Sequence, residues 1–185
     1  MKKILQKEAP VLRKISLDIP VEDIALPKIQ KIISEMKEAL ASQNDGVAIA
    51  GPQIGYSLRI FVVSAKVLFL VKKKTDVEEI TDSLQEDMVF INPVIKKISK
   101  EKRIVEEGCL SVRYLYGKVK RNNKAIVEAY DEYGKKITEG ASGLLAQIFQ
   151  HEIDHLNGIL FIDKAKYVEE ILPESTNIKD KNESD

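Results

Sequence analysis

Ser142-Gly-Leu-Leu-Ala-Gln-Ile-Phe-Gln-His-Glu-Ile-Asp-His-Leu-Asn-Gly158 carries both a fold signal and a chemical one. Leu144, Leu145, Ile148, Phe149, Ile153 and Leu156 recur at helical spacing, which predicts a helix over Gly143 to Leu156 with a broad apolar face. Ser142 is placed to cap its start, and Asn157-Gly158 forms a stop. Within the helix, His151 and His155 stand at i and i+4, so both imidazoles project from one face and reach a single metal ion. Glu152, beside the first histidine, is positioned to handle the protons of a water there. These are the only histidines in the protein. A chain that spends both at ligand spacing on an apolar helix is hard to explain by packing, and Glu152 would be costly to bury there without a partner.

Two histidines need a third ligand. Cys109, the only cysteine, lies in Glu106-Glu-Gly-Cys-Leu-Ser-Val112, directly after the strand-like Arg103 to Val105, where a glycine permits an unusual turn. Alone it reads equally well as a small buried hydrophobe, and beside the histidine pair it reads as a ligand. A single cysteine excludes an internal disulfide. From these residues alone a zinc peptidase, which shares the histidine pair and the glutamate, stays open.

Outward from this helix, Ile29, Ile32, Ile33, Met36 and Leu40 predict an amphipathic helix over Pro27 to Ala41, ended by the polar Ser42 to Asp45. Gly46 to Gly55 is rich in small residues and allows close approach by a backbone or ligand. Arg59 to Ser64, Val67 to Val71, Met88 to Ile98, Arg103 to Val105 and Ala125 to Tyr130 read as strands. Asp131-Glu-Tyr-Gly134 turns the last of these into a strand around Lys136 and Ile137. Lys72 to Asp87 reads as a charged surface excursion. The expected fold is α+β, with antiparallel sheets packed around the histidine-bearing central helix. Residues 1–170 are expected to form a single catalytic domain and 171–185 a polar, flexible C-terminal tail.

The 29 basic residues balance the 29 acidic ones, which gives no global charge argument for nucleic acid or membrane binding. Ile60 to Ala65 and Val67 to Val71 fall far short of the ~20 apolar residues of a membrane span. At the N-terminus Lys7 and Glu8 interrupt any apolar core of signal-peptide length, so a cytoplasmic location is expected.

Three stretches together resemble the motifs of the peptide deformylases: Gly46-Val-Ala-Ile-Ala-Gly-Pro-Gln-Ile-Gly55, Glu107-Gly-Cys-Leu-Ser111 and Gln150-His-Glu-Ile-Asp-His-Leu-Asn-Gly158. Ile91-Asn-Pro93 and Leu160-Phe-Ile-Asp163 extend the resemblance to about Lys166. It implies a hydrolase that removes the formyl group from N-formylmethionyl nascent peptides and releases formate. It also implies one divalent metal ion on Cys109, His151 and His155, ferrous iron first, with zinc, nickel or cobalt as substitutes. Glu152 would be the general base and later the acid, and the Gln53 side-chain amide and Leu110 backbone amide would face the formyl oxygen.

The methionine slot would be formed by Val47, Val105, Leu144 and Ile148, with Ala48 along the peptide and Glu107 near the bound substrate, supported by Arg121. Gln147 is less apolar than the resemblance implies. Ala48 stands where the family pattern has glycine, and Gly51 where it has alanine. These two departures alone suggest a relative that binds formylated N-termini without turnover, and the full set of ligands plus Glu152 argues against it. The resemblance further implies a transient ribosome contact, a monomer, no membrane and no sequence-specific nucleic acid.

Overall fold

The computed structural model of the protein describes residues 1–67 and 86–172. Helix α1 spans Pro27–Ala41, as its apolar spacing requires, with proline at the first position, where the missing N–H costs nothing. Strands β1 (Ala48–Ala50), β2 (Ile60–Val63), β3 (Met88–Ile98), β6 (Lys124–Tyr130) and β7 (Lys136–Ser142) form one antiparallel sheet in the order β1-β2-β3-β6-β7. Strands β4 (Lys102–Gly108), β5 (Leu115–Asn122) and β8 (Lys166–Glu170) form a second, in the order β4-β5-β8. Helix α2 spans Gly143–Leu156 and packs against strands of both.

Strand alternation explains how α2 is held. Ile49, Ile60, Val62, Val89 and Ile91 turn toward Ile32, Ile33, Met36 and Leu40 of α1. Their neighbours Ala48, Ala50, Phe61, Val63 and Phe90 turn the other way, toward Ile148, Phe149, Ile153 and Leu156 of α2. The register sets Phe61 opposite Phe90. Their rings stack at 4.6 Å between centroids, and Phe149 meets Phe90 edge-on at 5.0 Å. An aromatic core of this kind is worth about 3–5 kcal/mol per ring on truncation to alanine. It therefore fixes the rotation of α2 and with it the face that carries the histidines. A third cluster, Leu12, Val112, Val119, Leu160 and Phe161, closes the far side.

β3 carries an irregularity between Ile91 and Val94, where Asn92 adopts φ 50. The Asn92 side chain accepts from the Ile19 N–H at 2.9 Å and donates to the Ile19 carbonyl at 2.7 Å, which ties the N-terminal segment onto the sheet.

Several expectations need correction. Val67 is helical with Ala65 and Lys66, because Ser64 accepts a turn bond from the Val67 N–H; residues 68–71 of that expected strand lie outside the described residues. Residues 72–85 of the charged excursion and 173–185 of the tail also lie outside them. Ser142 occupies the N-cap position of α2, but its side chain makes no capping hydrogen bond. The β4 strand runs on through Glu107 and Gly108, because its pairing with β5 continues to Tyr116. Gly108 does not adopt a positive φ. A Cβ there would stand 2.7 Å from the Tyr116 ring, so any larger residue would have to displace that ring.

Candidate active site

Cys109 leaves the end of β4, and His151 and His155 rise from one face of α2. The thiol sulfur and one nitrogen of each imidazole lie within 4.8 Å of one another, and Cys109 Sγ is 3.2 Å from His155 Nε2. Metal–sulfur and metal–nitrogen bonds of about 2.3 and 2.0 Å make ligand atoms of one tetrahedral ion neighbours at this kind of separation. The groups behind the ligands fit as well. His151 Nδ1 is 3.0 Å from Glu107 Oε2, which leaves Nε2 for an ion in the carboxylate–histidine arrangement usual in metal sites. The sulfur accepts from the Ser111 N–H at 3.4 Å and from Gln53 Nε2 at 3.5 Å, donors that suit an anionic thiolate. Glu152 Oε2 and His155 Nδ1 are buried without a hydrogen-bond partner among the described residues. The residues present fit a divalent ion.

Behind the triad runs a ladder of alternating charge, buried at Glu107, Arg121 and Asp154 and reaching the surface at Lys164. Arg121 donates from Nε to Glu107 Oε1 at 2.7 Å and from Nη2 to Glu107 Oε2 at 2.9 Å. Its Nη1 donates to Asp154 Oδ2 at 2.6 Å, and Lys164 Nζ reaches both Asp154 oxygens at 2.6 and 2.7 Å. Asp154 comes from α2, Arg121 from β5 and Glu107 from β4, so the ladder joins the elements that carry the three candidate ligands. Glu107 was expected beside the substrate. It borders the cavity, but both its oxygens are committed to Arg121 and His151, so it orients the site.

These surroundings separate the ionisations. Burial would raise the Glu107 carboxyl, but Arg121 and His151 outweigh it and hold it at about 2. Burial pushes the Glu152 carboxyl up to about 7, opposed in part by His151. Burial would lower the His151 imidazole, yet the adjacent Cys109 and Glu107 carry it well above the ordinary histidine value. His155 is pushed well below that value by burial and by the neighbouring positive charges.

The 3-10 turn Gly51–Ile54 presents Gln53. The Gln53 side-chain oxygen Oε1 accepts from the Ala50 N–H at 2.8 Å, which directs its Nε2 toward Cys109 and Ser111 Oγ, the latter at 3.1 Å. A Cβ at Gly51 would press on this turn, standing 3.0 Å from the carbonyl oxygens of both Leu58 and Tyr56.

A cavity of about 300 Å³ opens beside the triad. Val47, Ala48, Gln53, Leu110, Leu144 and Ile148 border it together with His151 and Glu152. Val47 and Leu144 are each 41% exposed, as apolar walls of an open slot must be. Val105 is not among the bordering residues: it pairs with Val119 in the β4–β5 ladder, while Glu106, Glu107 and Gly108 border the cavity. The Ala48 methyl belongs to the core cluster of Phe61 and Phe149, although the residue also borders the cavity. The Gln147 amide donates to the Glu106 carbonyl at 2.8 Å, so this polar residue pins α2 to β4 beside the slot.

Asp45, Arg113, Tyr114, Tyr116 and Asp154 were not anticipated. Asp154 had a signal, since an acid between two histidines on an apolar helix face requires a cation nearby. The rim residues had none, because they meet only through the tertiary fold.

Residues 1–170 match the family model described as polypeptide deformylase. Peptide deformylase 2 of Clostridium acetobutylicum is 38% identical over 164 residues, 88% of this chain and 94% of that protein. The peptide deformylase of Fusobacterium nucleatum is 35% identical over 190 residues, 98% of each chain. Among solved structures, a peptide deformylase from Legionella pneumophila superposes with a TM-score of 0.74 at 35% identity, over 90% of this chain and 87% of that one. That from Thermotoga maritima gives 0.72 at 32% identity, over 90% and 98%. With the cysteine and two histidines of its central helix site brought together beside an apolar slot, the chain belongs to the polypeptide deformylase family, and it is an enzyme that removes the N-formyl group from nascent peptides.

Proposed function

We propose that the chain hydrolyses N-formylmethionyl peptides with one divalent ion held by Cys109, His151 and His155, ferrous iron being the natural occupant and zinc, nickel and cobalt its substitutes. The observation that carries this reading is the convergence of one thiol and two imidazoles, with Glu107 on the outer nitrogen of His151. When bound, such an ion lowers the pKa of a water and polarises the formyl carbonyl.

The protein groups supply the rest. Glu152, with its carboxyl near neutrality and one oxygen unpartnered, is suited to take a proton from the attacking water and return it to the departing amine. The Gln53 amide, aimed by the Ala50 N–H, and the backbone N–H of Leu110 donate to the oxygen as negative charge develops there. Water adds to the formyl carbon, the C–N bond breaks, and formate and a free N-terminal amine leave. Val47, Leu144 and Ile148 would receive the methionine side chain, with Ala48 beside the peptide. Among the described strands β1 has β2 as its only neighbour, so its other edge has room for an extended peptide.

A cytoplasmic, monomeric enzyme acting on chains as they emerge, with a transient ribosome contact, is the setting we infer. No described helix is long and apolar enough to cross a membrane. The test is formate release from formyl-Met-Ala-Ser after anaerobic loading with ferrous iron, against an unformylated control. No formate above that control would refute the reading.

A further inference from the structure

The mouth of the cavity carries a charged clasp. Asp45, in the segment before β1, and Arg113, in the connection between β4 and β5, both border the cavity and meet from separate segments of the fold. Arg113 donates from Nη1 to Asp45 Oδ2 at 2.5 Å and from Nη2 to Asp45 Oδ1 at 3.1 Å. Nη2 also donates to Gln43 Oε1 at 3.0 Å. The Arg113 N–H donates to Gln6 Oε1 at 3.3 Å, while Gln6 Nε2 donates to the Leu110 carbonyl at 3.1 Å. The Arg113 backbone is thus tied through Gln6 to the loop that carries Cys109 and Leu110, while its guanidinium is held by Asp45 and Gln43.

A guanidinium has five N–H donors, and three contacts leave two for an incoming acceptor. The Arg113 side chain is 25% exposed, enough to meet a ligand while its orientation is held. With the formyl group beside Cys109 and the methionine in the apolar slot, the remaining chain leaves through this mouth. The one acceptor that every such chain offers is its backbone carbonyl. We propose that Arg113, held in place by Asp45, is a substrate-binding residue that donates a hydrogen bond to a backbone carbonyl of the peptide beyond its methionine. This rests on the deformylation reading above. It makes the outer site sensitive to chain length and indifferent to the side chains that follow.

The test compares wild type, Arg113→Ala, Arg113→Lys and Asp45→Asn on formyl-Met-amide, formyl-Met-Ala-amide and formyl-Met-Ala-Ser-amide. The amide ends prevent a terminal carboxylate from taking the carbonyl's place. Because exposed ion pairs contribute little to folding, thermal midpoints should stay within a few degrees. Arg113→Ala should lose about tenfold in kcat/KM on the longest substrate, mainly through KM, and keep the wild-type value within about twofold on formyl-Met-amide. Arg113→Lys should fall between the two, and Asp45→Asn should show a smaller loss with the same length dependence. Equal losses on all three substrates would overturn the proposal and reduce the pair to a structural brace. So would no loss on any. Wild-type protein that releases formate from none of them would defeat the deformylation reading itself, an outcome distinct from both.

Discussion

Glu107 and Arg121 face each other through two hydrogen bonds, 2.7 and 2.9 Å, with side chains only 2% and 5% exposed. Removing one partner of such a pair strands the other charge in the interior. Arg121→Met should therefore cost about 3–5 kcal/mol, read in urea denaturation of the chelated protein. Because Glu107 also orients His151, metal affinity should fall by about 10- to 100-fold, measured by competition with a chromophoric chelator. Wild-type affinity in that variant would separate the ladder from the metal site.

The same carboxylate sets a pH dependence. Its folded value of about 2 lies below the ordinary 4.5, so it binds protons more weakly when folded than when unfolded. Its contribution is complete above pH 4.5 and lost as the pH falls through about 2, a difference on the order of a few kcal/mol. The stability gap between chelated wild type and Glu107→Gln should be constant between about pH 5 and 6, narrow above about 6.5 as His151, which Glu107 helps to hold protonated, loses its proton, and close below pH 4.5. A gap that widens on acidification below about pH 5 would contradict the assignment.

Cys109→Ser replaces a thiolate donor with an alcohol, a far poorer anionic ligand near neutrality. Metal content after dialysis should drop well below one ion per chain, as determined by elemental analysis. Full occupancy and full activity would remove Cys109 from the ligand set.

Glu152→Ala should retain its metal yet lose about 100- to 10,000-fold in kcat, since the proton has no other carrier at that position. Metal analysis and formate release on one preparation distinguish this from a ligand defect. Unchanged turnover would exclude Glu152 from the chemistry.

Gly51→Ala would restore the residue that the resemblance led us to expect and should nonetheless destabilise the protein. The new methyl would press on two backbone carbonyls at 3.0 Å, for a cost of about 1–3 kcal/mol. Ala48→Gly should also destabilise, by about 0.4–1 kcal/mol, because the residue belongs to the core cluster of Phe61 and Phe149 and glycine frees the unfolded chain. A thermal midpoint above wild type in either variant would show that the loop yields where the packing indicates it cannot.

These two positions also show what the sequence could and could not reveal. The helices were legible because Ile29 to Leu40 and Leu144 to Leu156 carry their period in the chain itself, and both begin and end where that period does. The strand at Met88–Ile98 was legible for its β-branched run, and the triad for its rarity. Val105 and Glu107 were harder. They share one face of β4, and only the tertiary packing decides that Glu107, at the cavity end of the strand, borders the cavity while Val105 does not. The Asp45–Arg113 clasp lies beyond any local pattern, since 68 positions separate its members.

The concentration of rare side chains has an experimental consequence. The protein has one cysteine and two histidines, and all three belong to the same cluster. Thiol titration, imidazole proton resonances and sulfur-to-metal charge-transfer bands therefore report on one place in the molecule with no background from elsewhere. Occupancy, oxidation and inhibitor binding can each be followed in the unlabelled natural protein, because its composition already makes the reaction centre its own spectroscopic probe.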